Sequence, residues 1–308
     1  MSTYKFFHLI LFLFSWILLS AQQDSLLQKI KEGINSPGAG ISSDLVKTKI
    51  FQDKGIILLE EMSLNISSEN HFVRQDFYNK LIGIYSLVPH GSESGKKMTE
   101  LILRACDDQS EWLRAMNMKY LVMIARPEDF GKEQLGLLKI LLLDTIHHRT
   151  PLFPIVGRLD WPEGDRIMEQ FFREGPELLE LDKDIPGGFI ASPKWKAAIA
   201  LARKGNMQAM TYLLQKAGEQ TDLQVISLIT QQFALVKNRP TIDFIIDFLL
   251  SDAFANPEDY DKQEYFSVAL IMLAQIIDMH NCPNFGSVAV RQWLRENRAT
   301  YQILPDPD

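Results

Sequence analysis

Cysteine is almost missing from this chain of 308 residues: there are two, Cys106 and Cys282. They lie 176 positions apart, so they form neither a disulfide framework nor the close Cys spacing of a zinc site. Cys106 follows Leu101-Ile102-Leu103-Arg104-Ala105 and reads as a small buried hydrophobe. A basic tract is also missing. Thirty-nine Asp and Glu outnumber 32 Lys and Arg, for a formal net charge of −7. This argues against nucleic acid and anionic lipid as main partners, because both need clustered cations. Alternating Val, Ile and Thr runs ending in hairpin turns are nearly absent, which excludes a sheet-built fold. No segment is apolar for long enough to span a bilayer. The longest run, Phe6 to Leu19, has 14 residues. As a helix it would reach roughly 21 Å, against about 30 Å of hydrocarbon.

That run has a different reading. Lys5 precedes it, and Ser20-Ala21-Gln22-Gln23 follows, with a small residue before a polar one. Cationic start, apolar stretch and small-residue site are the layout of a secretory signal peptide. Residues 1–21 are therefore expected to be removed and the mature protein exported, to the periplasm or the extracellular space. No cysteine follows the run to take a lipid, and no stable membrane insertion is expected after cleavage. Loss of Lys5, the one charged residue in 1–21, takes the net charge from −7 to −8.

What is present is helical periodicity. Residues 22–43 read as a short amphipathic segment and a Gly/Ser/Asn/Pro linker, and 44–308 as a helical-repeat domain. Ile50, Ile57, Leu58 and Met62 mark one helix; Phe72, Phe77, Leu81, Ile84 and Tyr85 mark another. Breakers fall between the periodic segments, at Pro89 and Gly91, Pro127, Gly205 and Pro240. Helix pairs recur, with first helices starting near His71, Ser110, Leu152, Pro193, Asp222 and Gln263. The spacings are 39, 42, 41, 29 and 41, a loose period near 40 with one compact unit. The second helices share apolar pairs three to four residues apart, as in Met98, Leu101 and Ile102, or Ile242, Ile245, Ile246 and Leu249. Such faces need a neighbouring helix to cover them.

The clearest unit is PKWKAAIALARKGNMQAMTYLLQKA, residues 193–217. Ser192 is a helix N-cap with Pro193 in the first turn, Ala197, Ala198, Leu201 and Ala202 give a small-residue face, and Gly205 ends the helix. These residues resemble a HEAT-type repeat; the resemblance is only general elsewhere, and the usual Asp, Arg and Pro marks of that family are largely missing. The resemblance implies an all-α fold, a HEAT-like α–α solenoid of stacked helix pairs; a tetratricopeptide-like or irregular helical array is the alternative.

One unit departs from the pattern. Pro151, Pro154 and Gly157 crowd its first helix, and its second runs into the acidic stretch PELLELDKDIPGGFIAS. Glu177, Glu180, Asp182 and Asp184 lie close together there, interleaved with Leu178, Leu179, Leu181 and Phe189. Apolar anchors rimmed by charge are a common interface layout. Trp161, between Asp160 and Pro162, reads as a loop residue exposed beside it. Glu177, Leu178, Glu180, Leu181, Asp182, Asp184, Phe189 and Trp161 are the candidate partner-binding residues, against the alternative that the leucines tuck back as a structural lid.

Patterns that carry chemistry are weak. His147 and His148 point about 100° apart on a helix and cannot share an ion. Asp278, His280 and Cys282 lack the spacing of a zinc site and the orienting partner of a Cys–His pair. Ser94-Gly95-Lys96-Lys97 matches Ser-x-x-Lys without its companion motifs. Glu60-Glu61 and Asp107-Asp108 are adjacent pairs at helix ends or on polar faces, not convergent ones. Trp112, Trp195 and Trp293 sit at helical spacing and are expected in the core. No cofactor or metal is expected. The sequence points to an exported binding or scaffolding protein for a protein or peptide partner, with an enzyme or accessory subunit using a groove site as the runner-up.

Overall fold

The computed structural model describes residues 28–29, 32, 67–144, 150–176, 179–181 and 189–305, the two strands as backbone only. The expected helix around Ile50 to Met62 lies outside them. The class is all-α: the described residues form twelve α-helices and one short hairpin. The chain divides into two compact units, Met1–Leu152 and Phe153–Asp308, with the boundary in the proline-crowded segment that breaks the repeat pattern. None of the described helices is long and apolar enough to cross a membrane.

The first unit contains α1 (His71–Tyr85), α2 (Glu93–Ala105), α3 (Glu111–Ile124) and α4 (Lys132–Leu143). A 3-10 turn, Pro127–Asp129, joins the last two. Local chemistry starts the helices. Asn70 accepts from the Phe72 N–H and Ser92 from the Gly95 N–H, satisfying amide groups that have no partner within the helix. Helix α2 forms the centre, packed against α1, α3 and α4. Met98, Leu101, Ile102, Leu103, Ala105 and Cys106 are all buried. Cys106 forms no disulfide and is buried, as expected of a small core residue.

The second unit contains α5 (Phe153–Val156), α6 (Pro162–Glu174), α7 (Pro193–Arg203), α8 (Met207–Gly218), α9 (Leu223–Val236), α10 (Arg239–Leu250), α11 (Tyr260–Ala274) and α12 (Ser287–Asn297). Ser192, Asn206, Asp222, Asn238 and Asp259 cap α7 to α11 with their side chains. Between α7 and α8 the chain turns at Gly205, whose φ of +86° costs a residue without Cβ little. First helices meet first helices, α7 packing on α5 and α9, and α9 on α11; second helices meet likewise, α8 on α10 and α10 on α12. The Ala-rich face of α7 allows this closeness. Ala197, Ala198, Ala200 and Ala202 are buried, and a Cβ at Gly157 would come within 2.9 Å of the Ala200 carbonyl oxygen.

Between α6 and α7 the expected loop contains a hairpin. β1 (Leu179–Leu181) pairs antiparallel with β2 (Phe189–Ala191), Glu180 opposite Ile190 and Leu181 opposite Phe189. Three residues per strand are too few to show alternation, so the sequence gives no strand signal there.

Candidate functional site

The most distinctive surface is the outer face of α3. Its inner face is fixed by apolar burial and by a polar clamp. Leu113, Asn117, Met118, Leu121 and Val122 are buried, and the Asn117 amide donates to the Ala105 carbonyl of α2 at 3.2 Å. The clamp lies at the start of the helix. Asp108 is buried, and Arg74 of α1 grips it with two hydrogen bonds of 2.7 and 3.0 Å. Tyr78 donates to the same carboxylate at 2.7 Å, and so does the Ser110 N–H. Burial alone would raise this carboxyl; the hydrogen bonds from Arg74, Tyr78 and Ser110 outweigh it and hold the group below the ordinary carboxylate value. Burial, and then the bond to Asp108, pushes the Tyr78 phenol well above its usual range. The clamp fixes the rotation of α3 relative to α1.

With the inner face so fixed, Trp112, Met116, Tyr120 and Met123 fall on the opposite side, at steps of four, four and three. Trp112 is 56% and Met123 65% exposed, Tyr120 is also exposed, and Met116 is half-buried. Trp112 was expected in the core; it is not there, because the buried stripe of α3 runs through Leu113 and Asn117 instead. Trp195 and Trp293 are buried as expected. On the neighbouring α1, Phe72 is 66% exposed and occupies the second position of its helix, as Trp112 does in α3. Exposed Glu111 and Lys119 flank the stripe, while Arg114 is drawn back to the carbonyls of Asp108 and Gln109.

A second polar cluster stabilises the other end of the same unit. Tyr85 donates to Asp129 at 2.8 Å and accepts from Thr99 at 3.1 Å. Arg126 reaches Asp129 and the carbonyls of Val88 and Tyr85, with its guanidinium 4.1 Å from the Tyr85 ring centre. These groups are buried and mutually satisfied, which is the chemistry of a clamp and not of a reaction centre.

The remaining sequence candidates separate as follows. Trp161 is 7% exposed, a correction to its expected place on an open loop. It precedes α6, and its ring covers Gly164 so closely that a Cβ there would collide with it. Leu179–Leu181 and Phe189–Ala191 form the hairpin; Glu177, Leu178, Asp182 and Asp184 lie outside the described residues, as do Glu60, Glu61, His147 and His148. His280 and Asp278 meet through Nδ1 and Oδ1 at 2.5 Å, but the Cys282 thiol turns to the Asn284 carbonyl at 3.1 Å. No group of three His, Cys, Asp or Glu able to hold a metal occurs among the described residues. Lys96 pairs with Glu93 and Lys97 with Glu100, while Ser94 is buried. Asp108, expected at a helix end or on a polar face, does lie at a helix end, between α2 and α3, but is buried there as the hub of the clamp. Its partners lie 30 and 34 positions away, a separation at which sequence gives no pairing signal.

No protein-family model matches the chain, and no curated protein aligns with it.

Proposed function

We propose that this is an exported helical-repeat binding protein, and that the outer face of α3 is where it takes a protein or peptide partner. The observation that carries the reading is the exposed stripe of Trp112, Met116, Tyr120 and Met123. Contiguous apolar surface of this kind is uncommon on a protein with no partner. Trp and Tyr dominate binding hot spots, and Met adapts its shape to what it meets. The flanking Glu111 and Lys119 supply the polar rim of an interface.

The packing of first helix on first helix and second on second, within each unit, supports a HEAT-like solenoid over an irregular array. The layout of residues 1–21 supports export. The segment 176–191 stands as a separate partner contact through Glu177, Leu178, Glu180, Leu181, Asp182, Asp184 and Phe189. Trp161 drops out of that contact because it is buried.

The test is a mature protein carrying Trp112→Ala together with Met123→Ala, used as bait on the native envelope fraction beside the wild type and a variant with residues 177–190 replaced by a Gly/Ser linker. The α3 variant should keep its melting midpoint and lose the captured partner. Retention of the partner by a folded α3 variant overturns the α3 reading, and loss of the partner only in the linker variant assigns binding to the hairpin segment.

A further inference from the structure

The outer face of α3 is complementary to itself. Trp112, Ala115, Lys119, Tyr120 and Met123 are exposed along it, and Met116 is half-buried. Turn a second copy of the helix end over end and lay it against the first. The residues that then stand at the same height are Trp112 and Met123, Ala115 and Tyr120, and Met116 and Lys119, each pair centred between Asn117 and Met118. Positions on any helical face can be paired in this way. Here the chemistry pairs as well.

Trp112 meets Met123, and a thioether beside an indole is a favourable contact. The ring of Tyr120 stands opposite Ala115, a large residue facing a small one, which lets two helix surfaces interdigitate. The aliphatic stem of Lys119 crosses Met116 and leaves its ammonium in water at the rim. Other arrangements lose these matches. A parallel pair in register sets Lys119 against Lys119, a repulsive contact. An antiparallel pair slipped by one turn puts Met123 opposite Asp108, which is already buried in the clamp, or Trp112 opposite Pro127.

The size of the face sets the strength of the contact. Trp112, 56% exposed, with Tyr120 and the two methionines presents roughly 400–500 Å² per copy, taking about 150–250 Å² for a whole aromatic side chain. Two copies together bury roughly 800–1,000 Å², more than most chance contacts and less than the about 1,200 Å² of a stable interface. Such a pair is reversible, with a dissociation constant on the order of 10–100 µM. The clamp holds the face at one rotation before any contact is made, so little ordering is left to oppose association.

Resting on the reading of α3 as a binding face, we propose that its partner is a second copy of this chain. Two α3 helices pack antiparallel about a two-fold axis that passes between Asn117 and Met118, with Trp112 of each copy on Met123 of the other. Each copy gives and receives the same contacts, as a closed dimer requires.

Sedimentation equilibrium of the full mature chain, from about 1 µM to about 1 mM, reads the balance of monomer and dimer. The wild type should pass from monomer to dimer over that range, and Trp112→Ala with Met123→Ala should stay monomeric. The decisive variants exchange size across a pair. Ala115→Phe sets a ring against Tyr120 and should weaken self-association by about tenfold or more. Adding Tyr120→Ala restores one large and one small residue to each pair and should bring it back to within about threefold of the wild type. All four positions are exposed, so the melting midpoints should hold and show that each variant is folded. A wild type that is monomeric throughout, a dimer indifferent to Trp112 and Met123, or no rescue by Tyr120→Ala overturns the proposal. The reading beneath it fails separately. A monomeric wild type whose captured protein still depends on Trp112 and Met123 keeps α3 as a binding face for a different protein, whereas capture unchanged in that variant removes the face itself.

Discussion

The two units solve the same problem, holding short helices side by side, by different chemistry. In the first, buried charge does it. Arg74, Asp108 and Tyr78 clamp α1 to the start of α3, and Arg126, Asp129, Tyr85 and Thr99 clamp the other end. In the second, aromatic rings do it, together with the buried Arg291, which donates to the carbonyls of Leu249, Leu250 and Ser251 at the end of α10. Trp195 stacks on Phe233 at 6.0 Å and 11°, and Phe233 meets Phe244 edge-on. Phe254 stands between Phe248 and Phe266. Ring packing tolerates small rotations of a helix; a doubly hydrogen-bonded carboxylate does not. The first unit thereby keeps α3 at one rotation, with Trp112 and Met123 outward. The second unit exposes Met207, Tyr260, Ile271, Phe285 and Val288 on separate elements or with polar residues between them. A rigidly oriented apolar stripe suits recognition, and dispersed apolar residues are ordinary surface.

Breaking each device tests the contrast. Arg74→Ala should be among the most damaging changes, costing about 3–5 kcal/mol, because it leaves the Asp108 carboxylate buried without its cation. Replacing the pair together, Arg74→Met with Asp108→Leu, should recover much of that loss in a denaturant titration. The corresponding break in the second unit, Phe233→Ala, should also cost about 3–5 kcal/mol, through lost transfer energy and a cavity. Its effect should not depend on pH. Trp195→Phe should cost far less than Trp195→Ala, since the buried indole Nε1 has no hydrogen-bond partner to lose.

Acid separates the two devices. The folded pKa of Asp108 lies below the unfolded value near 3.8, so its contribution is complete above that value and is lost as pH falls through the folded pKa. Hydrogen exchange at decreasing pH should show α1 and α3 opening before α9 and α11, and Asp108→Asn should remove the pH dependence of that opening while weakening the clamp at every pH. Lys196 of α7 gives a smaller effect at the other end of the scale. Burial pushes its amine down to about 8 from 10.5. The unfolded chain then binds the extra proton between these values, so stability should rise with pH from about 8 to 10.5 and stay level above. Lys196→Met should flatten that rise. The smallest expected change is Trp112→Ser on the α3 face, within about 0.5 kcal/mol as for other surface positions. A loss of several kcal/mol there would mean the stripe is packed, and the binding proposal would fall with it.

The sequence by itself determined the local structure. Asn70, Ser92, Ser192, Asn206, Asp222 and Asn238 announce helix starts because their side chains bond amides two or three residues on, a contact within reach of any chain. The helix beginnings near His71, Pro193 and Asp222 are where the periodicity puts them, and the buried faces of α2, α8 and α10 follow from their apolar spacing. Only the tertiary structure decided which way two tryptophans point. Both faces of α3 are rich in apolar residues, so periodicity alone does not choose between Trp112 and Leu113; the Arg74–Asp108 clamp, spanning 34 positions, does. Trp161 looks open between Asp160 and Pro162, yet Gly164 leaves a space on the first turn of α6 that its ring fills. Both outcomes depend on residues brought together by folding. Neighbour chemistry is written in the sequence, whereas the choice between two apolar faces is made by long-range contacts that no local pattern encodes.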